Sequence, residues 1–153
     1  MSSGDNALEN YQKAFEWNKK THNEYSLGKT YHQIGVLFHK QKRWTAAIEN
    51  YNKALKWNKK THNEHLIKMT YYQLGVFFEE QQNWGNSLEN YFIALLMSHK
   101  FSVQGAEKGI IAAIKKNAKE VSEEMLYEVF QRVFKDCSES DRDQLWKSIF
   151  SVE

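Results

Sequence analysis

This sequence repeats itself, and the repeat leaves few folds open to it. Leu8-Glu9-Asn10-Tyr11 through Trp17-Asn18-Lys19-Lys20-Thr21-His22-Asn23-Glu24 returns as Ile48-Glu49-Asn50-Tyr51 through Trp57-Asn58-Lys59-Lys60-Thr61-His62-Asn63-Glu64. It returns again, in part, as Leu88-Glu89-Asn90-Tyr91. Between these blocks, Thr30-Tyr31-His32-Gln33-Ile34-Gly35-Val36-Leu37-Phe38 corresponds to Thr70-Tyr71-Tyr72-Gln73-Leu74-Gly75-Val76-Phe77-Phe78, and every offset is 40 residues. A fixed period of that length predicts stacked supersecondary units in place of one closed core.

Each unit reads as two helices. Tyr31, Ile34, Val36, Leu37 and Phe38 form an apolar stripe at helical spacing, and a polar break at Lys40-Gln41-Lys42-Arg43 ends it. The second helix sets Ala47, Ile48, Tyr51, Ala54 and Leu55 against a face of Glu49, Asn52, Lys53 and Lys56. Asn23 and Asn63 stand where the next helix starts and can accept from its orphan amides; Thr45 is a candidate cap for the second helix. The chain contains no proline, which leaves every helix uninterrupted. The predicted helices are 5–21, 24–41, 45–60, 64–82, 86–98 and 101–117.

These residues resemble the tetratricopeptide repeat. Its order of aromatic, Leu-Gly, aromatic, Ala, aromatic and Ala is matched by Tyr31, Ile34-Gly35, Phe38, Ala47, Tyr51 and Ala54. Tyr71, Leu74-Gly75, Phe78, Ser87, Tyr91 and Ala94 match it a second time, and Ala7, Tyr11 and Ala14 match it in part. The glycines are expected where paired helices approach most closely, with the alanines keeping the crossing tight. Two departures stand out: Lys59 replaces the usual closing proline, and the period exceeds the family's 34, which places a longer second helix in each unit. The pattern looks like long-period bacterial arrays found beside nucleotide-switch, protease-like or other effector domains. HEAT repeats share the length but not the Leu-Gly and Ala spacing.

The resemblance implies an all-α fold, an α-solenoid of stacked antiparallel helix pairs with a C-terminal helical cap. The array is expected over 1–117, as a partial repeat at 5–23, repeats at 24–63 and 64–99, and a degenerate unit at 100–117. Capping helices are expected over 118–153. There, Ser122-Glu123-Glu124 and Ser138-Glu139-Ser140-Asp141 are start signals with acidic first turns. They lead into Leu126, Val129, Phe130, Val133 and Phe134, and into Leu145, Trp146, Ile149 and Phe150. At the other end the chain opens on a second helix without its first-helix partner. Leu8, Tyr11 and Phe15 are therefore self-association candidates, or a sign of more protein upstream.

Catalytic and metal chemistry find little footing. His32, His39, His65 and His99 are scattered without the paired spacing of a zinc site, and no glycine-rich phosphate loop occurs. Cys137 is the single cysteine and lacks a matched His and acid motif, which excludes an internal disulfide and makes the cytoplasm the expected compartment. Glu79-Glu80 and Glu123-Glu124 are adjacent on helices and point apart. No enzyme, cofactor or metal is expected, and no apolar run is long enough to cross a membrane.

What remains is a surface. In the resembled family the first helices line a concave face that holds peptides. On this chain that face selects Lys29, His32, Gln33, Val36, His39 and Lys40, then Met69, Tyr72, Gln73, Val76, Glu79 and Glu80. Val36 and Val76 occupy the asparagine position of the family's carboxylate clamp, so chaperone C-termini are not the expected ligand. The expected function is a non-catalytic scaffold for a protein or peptide partner, within a larger multidomain protein. Self-association through the open N-terminal helix is the second reading. Single-stranded nucleic acid is a third, on charge: residues 1–68 hold 12 Lys/Arg against 6 Asp/Glu, and residues 69–153 hold 9 against 13. The overall net charge of only +2, and tryptophans at core positions, disfavour it.

Overall fold

A computed structural model describes residues 3–21, 23–100 and 106–151. His22, Gly105 and the first five residues of the helix expected over 101–117 lie outside the described residues, as does the side chain of His99. The described residues form eight helices and no strand. They are α1 (Ser3–Lys20), α2 (Glu24–Lys40), α3 (Trp44–Lys60), α4 (Glu64–Glu80), α5 (Trp84–Lys100), α6 (Ala106–Ala118), α7 (Glu123–Val133) and α8 (Glu139–Phe150). The fold is all-α, built of antiparallel helices that pack against their neighbours in the sequence, as an α-solenoid requires.

Helices α2 and α4 are first helices of the repeat, and α3 and α5 are second helices. All four are 17 residues long. The expected lengthening of the second helix is therefore not found; the two helices of each unit are equal in length. Their connections are also alike. Asn23, Arg43, Asn63 and Asn83 donate their backbone N–H to the carbonyls of Asn18, Phe38, Asn58 and Phe78, the six-to-one bond that closes a helix C-terminus. The residue before each of the last three, namely Lys42, His62 and Gln82, has φ of 57°, 53° and 56°. A left-handed residue thus recurs every 20 positions and reverses the chain.

The caps follow the same rhythm. Asn23 Oδ1 accepts from Ser26 N at 3.1 Å, Asn63 Oδ1 from Leu66 N at 3.3 Å and Asn83 Oδ1 from Asn86 N at 3.4 Å. Thr45 does not cap α3. That helix already starts at Trp44, after Arg43, which makes no side-chain cap. Ser122 and Ser138 cap α7 and α8 by accepting from Met125 N and Asp141 N.

The chain divides into two compact units, Met1–Gln73 and Leu74–Glu153, with the boundary inside α4. In the first unit α2 packs against α3, and Leu27 and Ile34 of α2 are buried, as are Ala47, Tyr51, Ala54 and Leu55 of α3. A Cβ on Gly35 would lie 2.8 Å from Tyr51 Cδ1, so the ring rests directly on the α2 backbone. Ala47, Tyr51 and Ala54 are fully buried. The second unit repeats this contact, where a Cβ on Gly75 would come within 2.5 Å of the Tyr91 ring. Ser87, standing where the first unit has Ala47, donates its hydroxyl to Gly75 O at 2.8 Å. Helices α6 and α7 pack on α5, and the Phe92 ring meets Phe130 at 5.6 Å and Phe134 at 6.0 Å. Trp146 of α8 closes over Phe130 at 5.0 Å. Edge-on ring contacts of this kind add to the burial of the rings themselves.

Candidate functional site

A cleft of about 660 Å³ opens in the first unit between α2 and α4. Helix α2 contributes Tyr25, Lys29, His32, Gln33, Val36, Leu37 and Lys40, which recur at three- to four-residue steps along one side. Helix α4 and its cap contribute Asn63, His65, Leu66, Met69 and Gln73, and α1 adds Tyr11. Seven of the residues projected from the sequence are brought together here: Lys29, His32, Gln33, Val36, Lys40, Met69 and Gln73. Tyr25, Leu37, His65 and Leu66 were not foreseen, although their helical spacing from Lys29 and Met69 marks the same side; Asn63, read from the sequence only as a cap, joins them from the start of α4. Tyr11, foreseen only as a self-association residue, joins the cleft.

The exposed lining is Tyr25, Lys29, Lys40, His65 and Met69, while His32 and Asn63 are buried. Tyr25 is 57% exposed and Met69 37%. Lys29 and Lys40 are exposed, whereas Gln33, Val36, Leu37 and Leu66 are half-buried. Among the described residues no carboxylate lines the cleft.

His32 is buried, and its Nδ1 lies 2.8 Å from Thr70 Oγ1. The Thr70 hydroxyl proton is already given to Leu66 O at 2.7 Å. Thr70 Oγ1 therefore accepts from Nδ1–H, which leaves the imidazole lone pair on Nε2. Burial pushes the His32 pKa down to about 4, so the ring is neutral near pH 7.

Other projected residues lie elsewhere. His39 is buried against α3, with Nδ1 3.1 Å from the Tyr51 hydroxyl and its ring 5.8 Å from Trp44. Neither His39 nor Tyr72 lines the cleft. Val76, Glu79 and Glu80 belong to the second unit. There Glu79 holds the position that His39 holds one period earlier, and Glu79 Oε2 accepts from the Tyr91 hydroxyl at 2.9 Å. It also accepts from Asn117 Nδ2 at 2.8 Å, and Oε1 pairs with Lys116. Burial alone would raise the Glu79 pKa, but these donors outweigh it and hold the carboxyl below its usual range. Glu79 thus ties α4, α5 and α6 together.

On α1, Leu8, Tyr11 and Phe15 are half-buried. Phe15 meets the Tyr31 ring of α2 edge-on at 5.0 Å, so part of this face is covered within the unit. Trp17 is the more open side chain, at 65% exposure. Trp57, one period later, lies under the Lys60 ammonium at 5.1 Å. In the second unit Cys137 is half-buried and borders a cleft with Leu96, Phe134, Arg142 and Leu145. No group of His, Cys, Asp or Glu among the described residues is arranged to hold a metal ion, and no described helix is long and apolar enough to cross a membrane.

Residues 1–60 match the family model of the tetratricopeptide repeat. No curated protein and no solved structure matches the chain. The family's repeats generally mediate contacts between proteins. The matched segment contains α1, α2 and α3, and so includes the whole α2 wall of the cleft.

Proposed function

We propose that this tetratricopeptide repeat chain is a non-catalytic protein-interaction scaffold whose first unit holds a peptide segment of its partner in the cleft between α2 and α4. The observation that carries this reading is the cleft itself. Two first helices leave an apolar strip of Val36, Leu37, Leu66 and Met69 open between polar rims, and a ligand that covers such a strip removes it from water. The side chains with foreseeable chemistry are spent on structure: His39 and Glu79 bond to tyrosines. The single cysteine makes the cytoplasm the proposed compartment.

The test is a pair of substitutions on the half-open lining, Val36→Arg with Met69→Arg. Both sites reach solvent, so the variant is expected to keep its helical circular dichroism while losing captured partner. A control at exposed Lys147 of α8, Lys147→Glu, is expected to retain it. Undiminished capture by the cleft variant would remove the cleft from the function.

A second reading, self-association, draws on the half-buried Leu8, Tyr11 and Phe15 of α1; the exposed Trp17 stands on the opposite side of the same helix. Sedimentation at rising concentration decides it: a monomer at every concentration rules it out. For nucleic acid, Trp44 and Trp57 are half-buried and already meet His39 and Lys60, whereas Trp17, expected at a core position, is exposed near Lys13, Lys19 and Lys20. The net charge of only +2 disfavours this reading.

A further inference from the structure

The lining of the α2–α4 cleft is specific enough to name the chemistry of its occupant. Its charged side chains are of one sign. Lys29 and Lys40 are both exposed and stand 11 residues apart on α2. At about 1.5 Å and 100° per residue, that separation returns them to one side of the helix roughly 16 Å apart. Between them lie the apolar strip and the side-chain amides of Gln33 and Gln73, with His32 carrying its lone pair on Nε2.

A side-chain amide both donates and accepts, and a neutral imidazole with Nδ1–H engaged accepts. Such groups suit a ligand whose backbone N–H and C=O groups are unpaired. An extended chain has these; a helix has satisfied its own. In an extended chain at about 3.3 Å per residue, 16 Å spans five residues.

We propose that the cleft takes an extended acidic segment of a partner protein, with carboxylates five residues apart on Lys29 and Lys40 and apolar side chains between them on Val36, Leu37, Leu66 and Met69. This inference rests on the reading of the cleft as a peptide site and adds the sign, spacing and conformation of the peptide. The two lysines set orientation and register, and the apolar strip supplies most of the affinity.

The experiment uses the full chain, isotope-labelled, and three synthetic hexapeptides followed by NMR. The first is acetyl-Asp-Ser-Leu-Phe-Ser-Asp-amide, with acids at positions one and six. The second carries Asn at both acid positions. The third has the composition of the first with the two acids adjacent. The first peptide is expected to shift the methyl signals of Val36, Leu37, Leu66 and Met69, and to bind roughly tenfold more tightly than the second. The third is expected to fall between them. Lys29→Glu with Lys40→Glu should abolish the preference for the first peptide, and added salt should weaken it.

Equal binding of the acidic and amide peptides in the cleft would overturn the acidic assignment while leaving the peptide site standing. Equal binding of the first and third would overturn the spacing. Shifts confined to other surfaces overturn the assignment. If an array of unrelated peptides also leaves the cleft signals unmoved, the peptide site itself falls. Concentration-dependent shifts of the same methyls without peptide would place a second copy of the chain in the cleft and overturn it as well.

Discussion

At Gly28 one added carbon would lie 2.0 Å from Asn58 Oδ1. Asn58 is fully buried, and neither atom of its amide has a hydrogen-bond partner. The neighbouring repeat shows why. Asn18, one period earlier, donates to Thr30 Oγ1 at 3.3 Å, but the matching Thr70 is occupied by His32 and Leu66 O. Removing an unpartnered buried amide sacrifices no bond. Gly28→Ala is therefore expected to cost about 1–3 kcal/mol by overpacking, and Asn58→Ala less than about 1 kcal/mol. The double variant should regain most of the loss, since alanine is also the better helix former. Urea denaturation of the three proteins checks this, and a double variant no better than Gly28→Ala would show that Asn58 is not the obstacle.

His32 makes a second prediction at this scale. Its pKa falls from the ordinary 6.5 to about 4 in the folded protein, so the unfolded chain binds the extra proton first. Its contribution is fully present above pH 6.5 and drains away as pH falls toward 4, by roughly 3 kcal/mol. Denaturation of the protein and of His32→Leu at pH 7, 5.5 and 4.5 should show the wild-type slope flattened in the variant. Parallel slopes would contradict it.

At the scale of elements the turns matter most. Lys42, His62 and Gln82 adopt a left-handed conformation that costs L side chains free energy and glycine almost none. Lys42→Gly, His62→Gly and Gln82→Gly are each expected to stabilise the chain by about 0.5–1 kcal/mol, read from the denaturation midpoint. A loss at any of the three would mean that its side chain contributes more than its backbone strain costs. The helices were legible because glycine and alanine mark the close approaches: Gly35 meets Tyr51, and Gly75 meets Tyr91, as their spacing implied. The polar break at Lys40-Gln41-Lys42-Arg43 placed the helix ends to within two residues, but the left-handed residue that reverses the chain was not legible, because no glycine marks it. The cleft was half legible. Periodicity gave one side of α2, but whether His39 or Glu79 faces solvent or a tyrosine hydroxyl depends on which rotamer the partner helix admits.

Over the whole molecule, most partners are close in sequence. Even the longer side-chain hydrogen bonds, such as His32 to Thr70, Glu79 to Asn117 and Arg132 to Glu89, join residues 38 to 43 positions apart. Folds dominated by such local contacts form quickly, and a chain without proline has no prolyl isomerisation to wait for. Stopped-flow refolding is expected to finish well within a second and to lack any phase of tens of seconds; a slow phase insensitive to protein concentration would refute this. The equal helices carry one more consequence. First helices bear the glycine that receives a ring and second helices bear the ring, so the array has a parity. Adding forty residues preserves that alternation, whereas adding twenty sets tyrosine against tyrosine with no bare backbone for either to lie on.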